Sequence, residues 1–147
     1  MKKIFLLLTL VCSFCISCGN DDEGKITGIS EYEIPRHCKA DVEDGKVIII
    51  NNKKDFKKAF ADSYDSKQLK DINFNNANLL VVSGVSPNQI SKMSKQFLFV
   101  DGEYKLEITI QETGLTALEP WTVGYLVPKE IKSSDVELII NDIPFTF

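Results

Sequence analysis

The stretch Gln96-Phe97-Leu98-Phe99-Val100-Asp101-Gly102-Glu103-Tyr104-Lys105-Leu106-Glu107-Ile108-Thr109-Ile110-Gln111-Glu112 decides the fold. Two alternating runs flank Asp101-Gly102, a dipeptide that accepts the positive φ angles of a type I′ turn, so the segment reads as a β-hairpin. In its second arm Tyr104, Leu106, Ile108 and Ile110 fall on one face and Lys105, Glu107, Thr109 and Gln111 on the other, one side core and one side wet. Downstream, Trp121, Val123, Tyr125 and Val127 alternate in the same way until Pro128 stops the run. Val136–Ile140 supplies a last strand.

Upstream, Leu79-Leu80-Val81-Val82 is continuously apolar, the pattern of a strand buried on both faces, and is expected at the centre of a sheet. Val47–Ile50 is a further strand, and Ile26, Ile29, Tyr32 and Ile34 suit an edge strand ending at Pro35. Between them Asp41 to Gly45 forms a polar loop closing on an Asp44-Gly45 turn. Asn52 is a good helix N-cap, and Phe56, Ala59 and Phe60 at i, i+3, i+4 predict a short amphipathic helix over about 53–63. The expectation is an α+β domain, a mainly antiparallel sheet or sandwich of six to seven strands with one short helix.

The chain has 147 residues, 44% hydrophobic and 26% charged, with 17 basic against 21 acidic side chains. That composition fits one globular domain, here assigned to 26–147, and excludes a disordered or collagen-like chain. Residues 1–17 read differently. Lys2 and Lys3 precede an apolar run from Ile4 to Val11 and a small residue at Ser17, the layout of a secretory signal peptide. Cys15-Ile16-Ser17-Cys18-Gly19 resembles a bacterial lipobox, with Cys15 where the pattern usually has Leu. The resemblance implies cleavage before Cys18 and acylation of its thiol, which anchors the chain to a membrane, the outer membrane being the expected one and the inner leaflet the alternative. Residues 18–25 then form a tether, and Asp21-Asp22-Glu23 looks like the acidic surface-export signal of some Gram-negative lipoproteins. A solvated acidic leader without a receptor is the alternative reading.

Removing residues 1–17 takes Lys2 and Lys3 but no acid, leaving 15 basic against 21 acidic side chains and a net charge of −6. Nucleic acid is therefore not an expected partner, since phosphate neutralisation supplies most nucleic-acid affinity. Cys12 and Cys15 leave with the signal and Cys18 carries lipid, so Cys38 is the one remaining thiol and no intramolecular disulfide forms. An apolar core must hold the domain.

Chemistry finds few candidates. His37 is the sole histidine, and beside Cys38 in an extended segment it points to the opposite face, a poor nucleophile–base pair. Arg36, His37 and Lys39 would lower the Cys38 pKa if it were exposed; the competing reading is a small buried side chain. Asp41, Glu43 and Asp44 cluster in one loop with no facing acid, a solvated turn rather than a glycosidase pair. No cysteine–histidine or EF-hand spacing calls for a metal, and no glycine-rich loop for a nucleotide cofactor. The Glu112–Pro120 loop carries Leu115, Thr116 and Leu118, which with Trp121 form the candidate ligand surface. The strand face shared by Trp121 and Val123 competes for that ring as core.

Asp71-Ile72-Asn73-Phe74 before the Leu79–Val82 strand, Gly84 at its end, Tyr104 to Ile110, and Trp121-Thr122-Val123-Gly124-Tyr125 running to Pro128-Lys129 together resemble the C-terminal domain of the PrcB-like protease-complex subunit family. The similarity covers Val47 to Ile140. Where that family has a glycine-rich, tyrosine-bearing stretch, this chain has Val85-Ser86-Pro87-Asn88-Gln89. The resemblance implies the role that some members have, a non-catalytic partner of a surface protease, and no active-site residues. Two expectations follow: a lipid-anchored envelope binding or accessory protein, or a glycan-binding protein or small hydrolase using Cys38 or the acidic loop.

Overall fold

Asn78–Ser86, the apolar segment, becomes strand β3 of a computed structural model that describes residues 26–36, 38–62 and 68–146. Before it come β1 (Ser30–Tyr32), β2 (Ile48–Ile50) and helix α1 (Lys53–Ala59); after it come β4 (Ile90–Val100), β5 (Glu103–Glu112), β6 (Glu119–Val127) and β7 (Val136–Ile143). A 3-10 turn at Ser133–Asp135 leads into β7. The strands form two sheets, β1-β6-β3-β2 and β4-β5-β7.

The first sheet is covered on both faces, which explains the unbroken hydrophobicity of β3. Leu80 and Val82 face the second sheet, packing with Leu106, Ile108 and Ile110 of β5 and Trp121, Val123 and Val127 of β6. Leu79 and Val81 face the other way, into a cluster with Phe56 and Ala59 of α1, Phe60 just after it, Ala40 and Leu69. The order is thus helix and loops, four-stranded sheet, three-stranded sheet. The predicted α+β sandwich, with its central β3 and its inward-facing β5 and β6 residues, is what forms.

Asp101 and Gly102 take positive φ angles of 55° and 86°, and Val100 pairs with Glu103, as a two-residue hairpin loop requires. The helix stops at Ala59 instead of continuing to about residue 63. The Asp41 N–H donates to the Ala59 carbonyl at 2.6 Å, taking an acceptor that another helical turn would use, and Phe60 leaves helical geometry with its ring fully buried. Among otherwise antiparallel pairings, β7 runs parallel to β5. The cause is connectivity: β6 ends beside Asn78 and the chain then crosses to the second sheet, re-entering at Val136 opposite Tyr104, near the start of β5.

Candidate interaction surface

The chain passes between the sheets twice at one end of the sandwich. Residues 87–89 carry it from β3 to β4, and residues 113–118 return it from β5 to β6. Backbone hydrogen bonds stitch the crossings together: Gln89 N–H donates to the Leu115 carbonyl at 3.0 Å, and Thr113 N–H to the Gln89 carbonyl at 2.7 Å.

A carboxylate fixes each end of the second crossing. Glu112, buried at the end of β5, accepts from Ser86 Oγ at 2.6 Å and Asn88 Nδ2 at 2.8 Å. These hydrogen bonds favour the charged form and hold its carboxyl below the usual carboxylate range. Glu119 opens β6 and accepts from Arg36 Nε at 2.5 Å and from the Ile90 N–H at 2.7 Å, while Arg36 also donates to the Ile90 carbonyl at 2.5 Å. The Arg36 hydrogen bond is the main cause of a lowered Glu119 pKa.

Between these two fixed points the loop points apolar side chains outward. Leu115 is 64% exposed and Leu118 78%, and Thr116 is exposed beside them. Phe145 lies against the same loop, close enough that a Cβ on Gly114 would fall 3.0 Å from its ring. Exposed Val85, opposite Pro120, and Ile143, opposite Gln111, lie at this end too. Surface apolar residues scattered singly mean little, but their concentration on a held loop is the usual mark of an interaction surface.

Of the four residues predicted for a ligand surface, Leu115, Thr116 and Leu118 are exposed on this loop and Trp121 is buried. Trp121 is 5% exposed because β6 already begins at Glu119, so alternation turns its ring inward with Val123. Its ring lies over Gly84 and borders an open cleft of about 330 Å³ that Asp44, Ile140 and Asp142 also line. Cys38 is 1% exposed, with Sγ 3.9 Å from Gln68 Oε1, a placement that shields the thiol from external electrophiles. Its expected neighbour His37 lies outside the described residues, as do the lipidation site Cys18 and Asp21, Asp22 and Glu23. In the acidic loop Asp44 pairs with Lys39 at 3.1 Å and Glu43 with Lys46 at 2.5 Å, while Asp41 is exposed. Among the described residues no cluster of three or more His, Cys, Asp or Glu side chains is arranged to hold a metal, and no helix is long and apolar enough to cross a membrane.

Sequence reading missed the carboxylate anchors. Glu112 carried a usable signal, since the inward series Tyr104, Leu106, Ile108, Ile110 ends on it, placing a carboxylate on a core face where it needs partners. The Arg36–Glu119 pair joins residues far apart in sequence and had no such signal. No family model, no curated protein and no solved structure matches this chain.

Proposed function

We propose that this chain is a lipid-anchored cell-envelope protein, attached through Cys18 to the outer membrane and displayed at the cell surface, whose domain binds a partner protein without catalysing a reaction. The observation that carries the binding role is the apolar loop of Leu115 and Leu118, held at both ends by Glu112 and Glu119. A preformed apolar surface loses little conformational entropy on association, which suits a stable accessory subunit. The anchor rests on the lipobox-like segment before Gly19, and the acidic run after it supports surface display. The PrcB-like order of elements makes a surface protease the favoured partner class. The burial of Cys38 and the lysine pairing of Glu43 and Asp44 weigh against the hydrolase alternative.

The test is mild crosslinking in the native membrane and affinity purification of the full-length protein, beside Cys18→Ala and Leu118→Asp variants. A stoichiometric partner is expected with wild type, with recovery reduced by roughly tenfold or more in Leu118→Asp, about 1.4 kcal/mol of binding. Because Leu118 is solvent-exposed, the fold should change by no more than ~0.5 kcal/mol. Equal recovery from wild type and Leu118→Asp would remove this loop from the interface; no partner at all would remove the accessory role. Glycan binding is the second reading, favoured by the cleft beside the Trp121 ring with Asp44 and Asp142 on its rim. It requires Trp121 emission to change on titration with bacterial or host polysaccharides.

A further inference from the structure

The end of the sandwich opposite Leu118 carries a second apolar feature, the tip of the β4–β5 hairpin. Phe99 is 51% exposed and Val100 43%, at the last positions before the Asp101-Gly102 turn. Phe99 is the outermost ring of an aromatic series that starts in the core. Tyr125 lies 5.3 Å from Phe97, Phe97 6.0 Å from Tyr104, and Tyr104 4.8 Å from Phe99. The tip is therefore braced by packed rings, which limits the entropy lost when Phe99 enters another phase.

The chain enters the domain at this same end. Ser30 pairs with Leu126, and Gly28 packs on Pro128 just beyond the end of β6. β4 contacts this entry: Lys95 pairs with Glu31 of β1 at 2.6 Å, and the Phe97 ring packs, tilted, against Tyr125, the residue opposite Glu31. Ile26 lies eight positions beyond Cys18, at most ~3.5 Å per step or about 28 Å in all. The ten residues of β5, at ~3.3 Å each, put the Leu118 end roughly 33 Å farther along the sandwich. A lipid on Cys18 thus keeps the hairpin-tip end within about 28 Å of the bilayer, while the Leu118 end can stand about 33 Å farther off.

We infer that Phe99 and Val100 form a shallow bilayer contact that orients the domain with Leu115 and Leu118 directed away from the membrane. This rests on the anchored reading proposed above. The contact is apolar and not electrostatic, because Asp101 and Glu103 flank the tip and repel anionic headgroups. Phe is among the apolar side chains that interfacial segments bury about 5–10 Å into the boundary between headgroups and acyl chains.

The experiment uses full-length protein purified from its native membrane and reconstituted in phosphatidylcholine vesicles brominated at shallow acyl positions. Wild type, Phe99→Trp and Leu118→Trp are compared, with the mass of the N-terminal peptide read on each preparation and thermal melting confirming the fold. Phe99→Trp should lose roughly half of its added emission to bromine, at the ~5–10 Å depth of interfacial side chains. Wild type, whose single tryptophan is buried, and Leu118→Trp should stay unquenched. Cys18 carrying lipid with Phe99→Trp unquenched overturns the bilayer contact and leaves the anchor standing. So does quenching of Leu118→Trp, which would put the other end at the membrane. An unmodified Cys18 overturns both together.

Discussion

Gly84 sits directly opposite Trp121 in the β3–β6 pairing, and the indole lies across it so closely that a Cβ would fall 2.4 Å from ring carbon Cζ2. No ordinary contact is that short, so a methyl here must displace a ring that is itself packed between the sheets. Its backbone angle is not the issue, for Gly84 does not adopt positive φ; the requirement is close approach. Gly84→Ala should therefore destabilise the domain by about 1–3 kcal/mol, the usual range for overpacking a well-filled core. Urea denaturation followed by Trp121 fluorescence would show it as a lower midpoint with unchanged slope. An unchanged midpoint would mean that the ring has room to move, contrary to its burial.

At the level of elements, a short helix depends on its cap more than a long one does. Asn52 Oδ1 accepts the Asp55 N–H at 2.9 Å, and Asn52 Nδ2 donates to Asp55 Oδ2 at 2.7 Å, so cap and first turn hold each other. Asn52→Ala should cost about 1 kcal/mol, read by thermal unfolding, while Lys54→Ala on the exposed side serves as a control near zero. The start of this helix was legible because capping is local chemistry; its end was not, because the Asp41 N–H that takes the Ala59 carbonyl arrives from a distant loop. The same distinction runs through the strands. Alternation in β5 and β6 and the Asp101-Gly102 turn state their own geometry, whereas the parallel partnership of β7 depends on which end of the sandwich the chain re-enters. For the surface, Leu115 and Leu118 stood out as apolar residues in a polar loop. Trp121 was ambiguous because it stands where loop meets strand; the start of β6 at Glu119 fixes its direction by alternation.

For the whole molecule, the two sheets are joined by an apolar core and, at one end, by a polar lock made of Glu112 and Glu119 with their donors. Glu112 bridges the end of β5 to Ser86 at the end of β3 and to Asn88 of the first crossing, and Glu119 joins β6 to Arg36 and to the first residue of β4. Both carboxyls are held below their ordinary range in the folded state, so near pH 4 the unfolded chain binds more protons than the folded one. Stability must then rise with pH through that range: the contribution is complete above the unfolded carboxylate value of about 4.3 and is lost as pH falls through the lowered folded values. Proton uptake by the two glutamates is therefore what opens the lock. Thermal unfolding between pH 6 and pH 3 should show wild type losing stability more steeply than a Glu112→Gln, Glu119→Gln double variant. Exposed Glu33, whose pKa is lowered by Lys70, provides the control, since Glu33→Gln should leave most of the slope intact. Amide hydrogen exchange should locate the loss at Gln89, Ile90 and Thr113, whose N–H groups span the two crossings. If those amides stay protected at pH 3 while the domain as a whole weakens, the acid sensitivity lies elsewhere, and the Leu115–Leu118 loop is held by its backbone bonds and apolar packing alone.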